Sequence, residues 1–302
     1  MVRTVKVKGQ EIQVPEGSAF SINTSPMLLK GHQNMLVLGK RGSGKSVAIT
    51  NYLRMLQEDK KLDRIFVISP TFMSNRVLMD NLGIDEADVF DPATGSAAID
   101  AVVEAIEEER DEYQEYLNIK QRYKILMRDL NTIKFVESVD PQLMLEFFDD
   151  RKGSFVRPEP KYGHSGKPIM ALFVDDCQST PLFKSQKFLN FITRHRHIGA
   201  FDEGGALGTS VFIALQNFAD RNGGCPRSVR NNATSICCFS LKDKKELTQV
   251  YESVAGEIEE EDFMTAFNYA TSEPHNFLLV DLHTKKEHPS PFRKNFNEFI
   301  VL

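Results

Sequence analysis

The chain has 302 residues, of which 41% are hydrophobic and 26% are charged, and its formal net charge is -5 at neutral pH. This composition is typical of one globular domain spanning residues 1–302, and the acidic balance excludes a surface that is basic throughout, as in a nucleic-acid coat protein. No apolar run approaches the roughly 20 residues that a membrane span requires, and the N-terminus lacks the apolar core of a signal peptide. We therefore expect a cytoplasmic protein without a membrane partner.

Four cysteines are spread along the second half of the chain and form no CxxC pair. Four cysteines are too few to stabilise a chain of this length through disulfide bonds, so we expect reduced thiols rather than a disulfide framework. Cys237 and Cys238 are adjacent in an apolar run. On a strand their side chains point to opposite faces, which predicts two small buried hydrophobes and no shared metal.

The first elements of the chain are short strands around one helix. Alternating polar and apolar residues predict a β-hairpin extension over residues 1–24. Met35 to Leu38 indicates a buried strand, and a glycine-rich turn and an amphipathic helix follow it. A second buried strand is predicted from Arg64 to Ser69.

Residues 96–150 are predicted to form a helical insertion, because apolar residues recur there at helical spacing as far as about residue 131. This pattern indicates one long helix or two, with a polar gap at Glu109 and Arg110. The first half of the segment is acidic and the second half is basic. Such charge runs are typical of a solvated face, and the alternative is a docking surface for a neighbouring subunit.

Further apolar runs resemble core strands, at Ile169 to Val174, Val211 to Leu215 and Thr234 to Phe239. Residues 276–302 predict a C-terminal strand and tail. Strands that alternate with helical patterns favour an α/β fold, in which a mostly parallel central sheet is flanked by helices on both faces.

One segment between a predicted strand and a predicted helix matches the phosphate-binding P-loop pattern, GxxxxGKS. Glycines let successive backbone N–H groups turn toward phosphates, and the helix presents its positive end to them. Lys45 is expected to reach the β- and γ-phosphates, and the Ser46 hydroxyl to bind Mg²⁺. The sequence therefore predicts that ATP is bound by Gly39, Lys40, Arg41, Gly42, Ser43, Gly44, Lys45 and Ser46.

Polar residues at the ends of two later strands complete the predicted site. The run that begins at Ile169 ends in Asp175 and Asp176, at the edge where open α/β sheets bind ligands. Asp175 is expected to hold Mg²⁺, and Asp176 to orient or deprotonate the attacking water. Gln216 ends the next strand and could sense the γ-phosphate or position that water, or it could only cap the loop.

These motifs in this order, with TRHRHIGA before SVFIALQN, resemble the FtsK-HerA superfamily of translocating ATPases. Within it they look most like the poxvirus-type genome-packaging ATPases. The resemblance implies a RecA-like P-loop core and an arginine that acts on the nucleotide of the neighbouring subunit. Arg194 fits the spacing of that arginine best, and Arg196 is the second candidate. Residues 200–209 form an insertion between this stretch and its strand, and the alternative is that the stretch is only a solvated basic turn.

The resemblance further implies a homo-oligomeric ring of about five or six subunits, which uses ATP to move double-stranded DNA through its centre. A viral packaging role would add a capsid or portal vertex as a partner and place the protein in the host-cell cytoplasm or on the virion. The glycine-rich loop of residues 220–230 is the candidate DNA contact, because several copies of a small basic loop sum at a narrow pore. Its basic residues are Arg221, Arg227 and Arg230.

Other P-loop functions fit the sequence less well. A guanine-reading Asn-Lys-x-Asp motif does not occur in the sequence, which argues against a small GTPase. A kinase would need an acceptor pocket and gains nothing from an arginine supplied in trans. A rival from another class is a non-motor ATP-binding switch or scaffold component of a virion or transfer complex, with the charged helix as its partner surface.

Overall fold

A computed structural model describes residue 22 and the ranges 24–71, 80–132, 139–164, 166–218, 224–241, 243–256 and 258–302. The hairpin predicted over residues 1–24 therefore lies almost entirely outside the described residues. The strands, in chain order, are β1 (Asn34–Leu38), β2 (Arg64–Ile68), β3 (Val89–Phe90), β4 (Phe148–Asp149), β5 (Ser154–Phe155), β6 (Met170–Val174), β7 (Ser210–Leu215), β8 (Ser235–Phe239), β9 (Phe277–Asp281), β10 (Phe292–Lys294) and β11 (Glu298–Ile300).

The helices lie between these strands, together with three short 3₁₀ turns at residues 86–88, 92–94 and 195–197. They are α1 (Lys45–Glu58), α2 (Ser96–Thr132), α3 (Pro141–Phe147), α4 (Pro181–Lys184), α5 (Gln186–Arg194), α6 (Arg227–Asn231), α7 (Lys244–Val254) and α8 (Glu260–Ala270). Among the described residues, no helix is long and apolar enough to cross a membrane.

Within the part of the chain that the structure describes, nine strands form one sheet in the order β11-β10-β9-β8-β1-β7-β6-β2-β3. In this sheet β3, β2, β6, β7, β1 and β8 pair in parallel, whereas β9, β10 and β11 extend it with antiparallel pairs. The strands β4 and β5 form a separate antiparallel pair. The predicted α/β fold with a mostly parallel sheet is confirmed. The C-terminal residues form three strands, where the sequence indicated one strand and a tail.

The position of β7 between β1 and β6 determines the geometry of the nucleotide site. Leu38, the last residue of β1, pairs with Leu215 of β7, and Val174 of β6 pairs with Ile213 of the same strand. The three strands therefore end almost level. Because they are parallel, the polar residues that follow each of them meet at one edge of the sheet.

Both faces of the sheet are covered, which explains why its central strands β1, β6, β7 and β8 are apolar at most positions. In β1, Leu36 and Leu38 point into a core that includes α2, α5, α7 and α8, while Met35 and Val37 point into a second core that includes α1. All four cysteines are free and buried. Cys237 and Cys238 lie on opposite faces of β8, as predicted.

The segment expected to form one helix or two contains the single helix α2, which is 37 residues long. Its first turns belong to the main core through Ile99, Val102 and Ile106. Its later turns pack in a small separate cluster, where Leu126 is buried against Val139 and Phe147. The helix thus begins on the sheet and ends against the short helix α3.

Glu109, at the polar gap in the helix pattern, is a buried acid with three donors. Its Oε1 accepts hydrogen bonds of 2.7 Å each from Arg64, Lys161 and Tyr162. Arg64 also binds Asp88 through two nitrogens. Burial raises the pKa of Glu109, but the hydrogen bonds outweigh it and hold the pKa below its ordinary value. This cluster fastens the middle of α2 to the start of β2.

Candidate nucleotide site

The P-loop has the backbone that phosphate binding requires. Gly42 and Gly44 have φ values of +77° and +104°, in the region that favours glycine. A Cβ on Gly39 would lie 2.5 Å from the Ser43 hydroxyl oxygen and 2.9 Å from Cβ of Phe239, so this position has no room for a side chain. The close turn after β1 therefore depends on glycine.

Helix α1 begins directly after this turn, and no side chain caps its N-terminus. The same holds for α4, α6 and α8, whereas α3, α5 and α7 are capped by Asp140, Ser185 and Asp243. The first N–H groups of an uncapped helix need partners, and an anion can supply them. This observation fits a bound phosphate.

Ser46 and Asp175 come together as the predicted metal ligands. The Ser46 hydroxyl donates a 2.8 Å hydrogen bond to Oδ2 of Asp175, which is only 5% exposed. A hydroxyl and a carboxylate form the oxygen donor set that Mg²⁺ prefers. The two side chains therefore fit a shared Mg²⁺ ion.

The charges at this site are partly withdrawn from water. Burial raises the pKa of Asp175 above its ordinary value, although the Ser46 hydrogen bond and the Lys45 charge oppose that shift. Burial likewise lowers the pKa of Lys45, against the attraction of Asp175 and Asp176. The Lys45 ammonium donates a 3.1 Å hydrogen bond to the carbonyl of Lys40. A bound triphosphate would supply negative charge beside Lys45, and its metal ion would supply positive charge beside Asp175.

Asp176 and Gln216, which the sequence places at the ends of two strands, contact each other. The Gln216 amide donates from Nε2 to Oδ1 of Asp176 over 2.6 Å. Asp176 has a φ of +52°, a left-handed conformation that is uncommon outside glycine and in which Asp and Asn are enriched. Both side chains are exposed, unlike the neighbouring Asp175. The strand-end carboxylate and the strand-end amide thus meet at the surface of the site.

A cleft of about 520 Å³ joins these groups, and we call it the catalytic cleft. It contains the predicted acids, the glutamine, the lysine and the serine. Thr71, which follows β2, is a further lining residue that sequence reasoning missed. The lining residues are Arg41, Gly42, Lys45, Ser46, Thr71, Asp175, Asp176, Ala214 and Gln216.

Gln178 is a second residue that sequence reasoning missed. Its side-chain carbonyl accepts hydrogen bonds from the backbone N–H groups of Gln216 and Asn217, and its Nε2 donates to the Asn217 carbonyl over 2.7 Å. The side chain is buried, with the residue only 8% exposed. A polar residue so soon after Asp176 was the available signal, but its partner is visible only in the folded chain.

Arg194 lies at the other end of the sheet from the catalytic cleft. It ends α5, and the next residue, His195, accepts a 2.9 Å backbone hydrogen bond from Thr209, just before β7. Gln216 follows the far end of this six-residue strand, about 20 Å away at ~3.3 Å per residue. Arg194 and Arg196 are both exposed. Neither is therefore in a position to reach the nucleotide site of its own chain.

The insertion of residues 200–209 does not move β7 away from this arginine stretch. The loop closes on itself with a bridge between Ala200 and Ala206. Its ends are joined by backbone hydrogen bonds of 3.0 Å from Leu207 to Gly199 and 2.9 Å from Gly208 to Ile198. The chain therefore returns to its starting point before the strand begins.

The predicted DNA-contacting residues divide into three cases. Arg221 lies outside the described residues. Arg227 is exposed at the start of α6. Arg230 is partly buried, with its guanidinium 5.2 Å from the centre of the Phe218 ring. The second half of this segment is therefore a short helix packed on the core, where composition indicated a loop.

No family model matches the chain, and no curated protein matches it either. Among solved structures, it is similar to a genome packaging NTPase from Sulfolobus turreted icosahedral virus 2 in complex with ATP-gammaS, at 13% identity over 89% of this chain and 97% of that one, with a TM-score of 0.43. It is also similar to EssC (ATPases 2 and 3) from Geobacillus thermodenitrificans, at 13% identity over 88% of this chain and 39% of that one, with a TM-score of 0.45. A third is VirB4 of Thermoanaerobacter pseudethanolicus, at 12% identity over 88% of this chain and 90% of that one, with a TM-score of 0.40.

The first of these solved structures is thus a genome packaging NTPase, and the second contains ATPases. With identities of 12–13% and TM-scores of 0.40–0.45, the likeness is distant. The function is therefore argued from the site itself.

Proposed function

We propose that the chain hydrolyses ATP in the catalytic cleft and uses the reaction to move double-stranded DNA. One observation carries the proposal: a P-loop lysine and serine, two strand-end acids and a strand-end glutamine surround a single cleft. These residues come from three separate segments of the chain. Each has the chemistry that one part of phosphoryl transfer to water requires.

The roles follow from the contacts. Lys45 neutralises charge on the outer phosphates, and the uncapped N-terminus of α1 receives phosphate oxygens. Ser46 and Asp175 would hold Mg²⁺, which would supply positive charge to compensate that of the phosphates. Gln216 occupies one oxygen of Asp176 and leaves the other to accept a proton from the attacking water.

Coupling to DNA rests on the surfaces outside the cleft. Arg194 is exposed at the sheet edge opposite its own nucleotide site, so a head-to-tail neighbour could receive it at the γ-phosphate. A closed ring of about five or six subunits would repeat that contact at every interface. Arg227, and Arg221 with it, would face DNA in the centre. Packaging of a viral genome at a capsid or portal vertex, in the host cytoplasm or on the virion, is the role that this assembly fits best.

The test is ATP hydrolysis by the full chain with and without long double-stranded DNA, with the oligomeric state measured in the same buffer. DNA should stimulate phosphate release, and Lys45→Ala should abolish both the basal and the stimulated rate. Lys124→Ala, an exposed lysine on α2, is the matched control and should behave as the parent does.

Slow hydrolysis that ignores DNA would favour the non-motor switch. Hydrolysis that survives Lys45→Ala would overturn the nucleotide site. For the DNA contact, Arg227→Ala should reduce stimulation and spare the basal rate, and unchanged stimulation would remove this residue from the DNA path.

A further inference from the structure

The two segments that interrupt the motif pattern of the sequence meet in the folded chain. Helix α2 belongs to the helical insertion, and residues 200–209 form the insertion before β7. Arg110 of the helix donates a 3.3 Å hydrogen bond to the Ala200 carbonyl, and the rings of Tyr113 and Phe201 lie edge to face with their centres 6.1 Å apart. A surface built by two segments that the ATP site does not use is a candidate for a separate binding function.

A pocket of about 500 Å³ lies between the middle of α2 and this loop, and we call it the helix-loop pocket. It is similar in size to the catalytic cleft, and the two have no lining residue in common among the described residues. Its floor is one face of α2, where lining residues recur at spacings of three or four positions, at Tyr113, Leu117, Lys120 and Lys124. The loop forms the opposite wall through Phe201. A molecule in this pocket would therefore leave the catalytic cleft open.

The helix-loop pocket carries an excess of positive charge. Its lining includes the lysines Lys120, Lys124 and Lys167 and a single acid, Glu203. Within the described ranges, none of these three ammonium groups forms an ion pair with a carboxylate, whereas Lys161 binds two acids of the same helix. Because the charge of the lysines is not compensated by the chain itself, the pocket favours an anionic ligand.

Two of the ammonium groups are held in place by aromatic rings. The Nζ of Lys167 lies 4.7 Å from the centre of the Phe201 ring, and the Nζ of Lys120 lies 5.3 Å from the centre of the Tyr116 ring. Lys167 also donates a 3.5 Å hydrogen bond to the Ala206 carbonyl. Neither a ring nor a carbonyl neutralises an ammonium group, so both lysines keep their charge for a ligand and are positioned before it binds.

The remaining groups favour a peptide over a nucleic acid. Three side-chain amides line the pocket, at Gln114, Asn118 and Gln121. An amide both donates and accepts hydrogen bonds, as a peptide backbone does, whereas a phosphodiester backbone offers acceptors only. The Phe201 ring already carries the Lys167 ammonium on one face, where a base of a single strand would stack. Leu117 is 38% exposed and adds an apolar contact.

We propose that the helix-loop pocket docks an acidic, extended segment of a partner protein, with carboxylates of that segment on Lys120 and Lys167 and an apolar side chain on Leu117. The floor from Tyr113 to Lys124 is about 16 Å long at ~1.5 Å per residue of helix. About five residues of an extended peptide span that length. The partner thereby binds at a surface apart from the catalytic cleft, and hydrolysis does not depend on the docking.

The test measures fluorescence anisotropy of a labelled, glutamate-rich peptide of about seven residues with a central leucine, titrated with the full chain. Lys120→Glu and Lys167→Glu should each raise its Kd at least about fivefold, because each reverses a charge that faces the peptide. Lys184→Glu is the matched control, since it makes the same change at an exposed lysine of α4 that does not line the pocket. Its Kd should stay within about twofold of the parent value. Basal ATP hydrolysis should be equal in all three variants, which shows that they fold.

A second peptide, with glutamine in place of every glutamate, should bind the parent at least about tenfold more weakly. A Kd for the acidic peptide that is the same in the parent, Lys120→Glu and Lys167→Glu would overturn the proposal, as would a parent Kd above about 1 mM. A thymidine oligonucleotide of equal charge that binds more tightly than the peptide, and weakens in the same variants, would make the pocket a nucleic-acid site instead. Loss of the parent's oligomer in Lys120→Glu, measured by sedimentation, would make the occupant a second copy of this chain.

Discussion

Gln178 joins the end of the acid-bearing strand to Gln216 by accepting a hydrogen bond from the Gln216 backbone N–H. The same oxygen accepts from Asn217, and the Gln178 amide donates back to Asn217. Gln216 in turn donates to Asp176. A single buried side chain therefore sets the distance between the two residues that we expect to control the attacking water.

Gln178→Met keeps the volume of the side chain and removes its hydrogen bonds. Because two N–H groups lose their partner, we expect a loss of about 1–2 kcal/mol in the free energy of unfolding. We also expect kcat to fall at least about tenfold while the Kd for ATP stays within about twofold, since the binding residues are untouched. Gln178→Glu retains the hydrogen-bond acceptor, so its kcat and its stability should lie between those of the parent and those of Gln178→Met. An unchanged kcat in the Met variant would show that the hydrogen bonds of Gln178 have only a structural role.

We expect Asp175→Asn to increase the stability of the nucleotide-free protein and to abolish its activity. Because burial raises the folded-state pKa of Asp175, the folded protein holds this proton more tightly than the unfolded chain, and stability falls as the pH rises through that interval. At neutral pH and without nucleotide, the Asn variant should therefore be more stable by about 1 kcal/mol. Thermal melts at neutral and acid pH measure this, and the gain should vanish in acid.

When Mg²⁺ and ATP are added, the parent should become more stable than Asp175→Asn. Ligand binding to the folded state stabilises the parent by mass action, and the variant lacks one metal ligand. Hydrolysis by Asp175→Asn should be undetectable. If Asp175→Asn is less stable than the parent in the absence of nucleotide, the buried Asp175 carboxylate does not destabilise the folded protein and this prediction is wrong.

Glu109→Gln tests the buried ion cluster at the middle of α2. The side chain of Glu109 is 1% exposed and pairs with Arg64 and Lys161. Loss of its charge should cost about 3 kcal/mol in the free energy of unfolding. The folded-state pKa is lowered, so the stabilisation is present above the unfolded pKa and disappears as the pH falls through the folded value. Denaturation with urea at neutral pH and below about pH 4 measures both effects.

Glu112→Gln is the matched control for this experiment. Glu112 also binds Lys161, but its side chain is 58% exposed. Surface ion pairs of this kind contribute about 0–1 kcal/mol. Equal losses in the two variants would mean that burial does not strengthen the cluster.

Arg194 can be tested by mixing two inactive variants. Lys45→Ala removes the P-loop lysine, and Arg194→Ala removes the arginine that we expect to act on the neighbouring subunit. In an equal mixture that assembles at random, about a quarter of the interfaces pair an intact P-loop with an intact arginine. ATP hydrolysis should therefore return to about that fraction of the parent rate, because such an arginine is needed in the transition state.

Arg196→Ala is the control, and it should hydrolyse ATP at the parent rate. If Arg196→Ala is instead the inactive variant and its mixture with Lys45→Ala recovers activity, while Arg194→Ala keeps the parent rate, the second candidate holds the role. If an inactive arginine variant recovers no activity when mixed with Lys45→Ala, that arginine does not act on the site of a neighbouring subunit.

The sequence predicted the parts of the site whose chemistry is local. Lys45 and Ser46 belong to one contiguous segment, at the start of α1, and Asp175 and Gln216 each follow an apolar strand, so their approach requires only that the strands be parallel neighbours. The contact of Gln216 with Asp176 then follows from the adjacency of β6 and β7.

Other parts depend on contacts that no local pattern records. His275 lies 232 residues from Ser43 in the chain, and the two meet because β9 pairs with β8, which pairs with β1. Gln178 reaches Asn217 across 39 residues for a similar reason. The short strands β10 and β11 have three residues each, too few for a reliable alternation of polar and apolar positions.

The closed loop between Gly199 and Thr209 makes this position tolerant of added sequence. Because hydrogen bonds join its ends, the start of β7 does not depend on the length of the loop. A short peptide tag inserted between Glu203 and Gly204, which are both exposed, should leave hydrolysis intact. The loop follows Arg194 closely in the chain, so a fluorophore on that tag would lie beside the expected subunit boundary and could record its movements during each turnover.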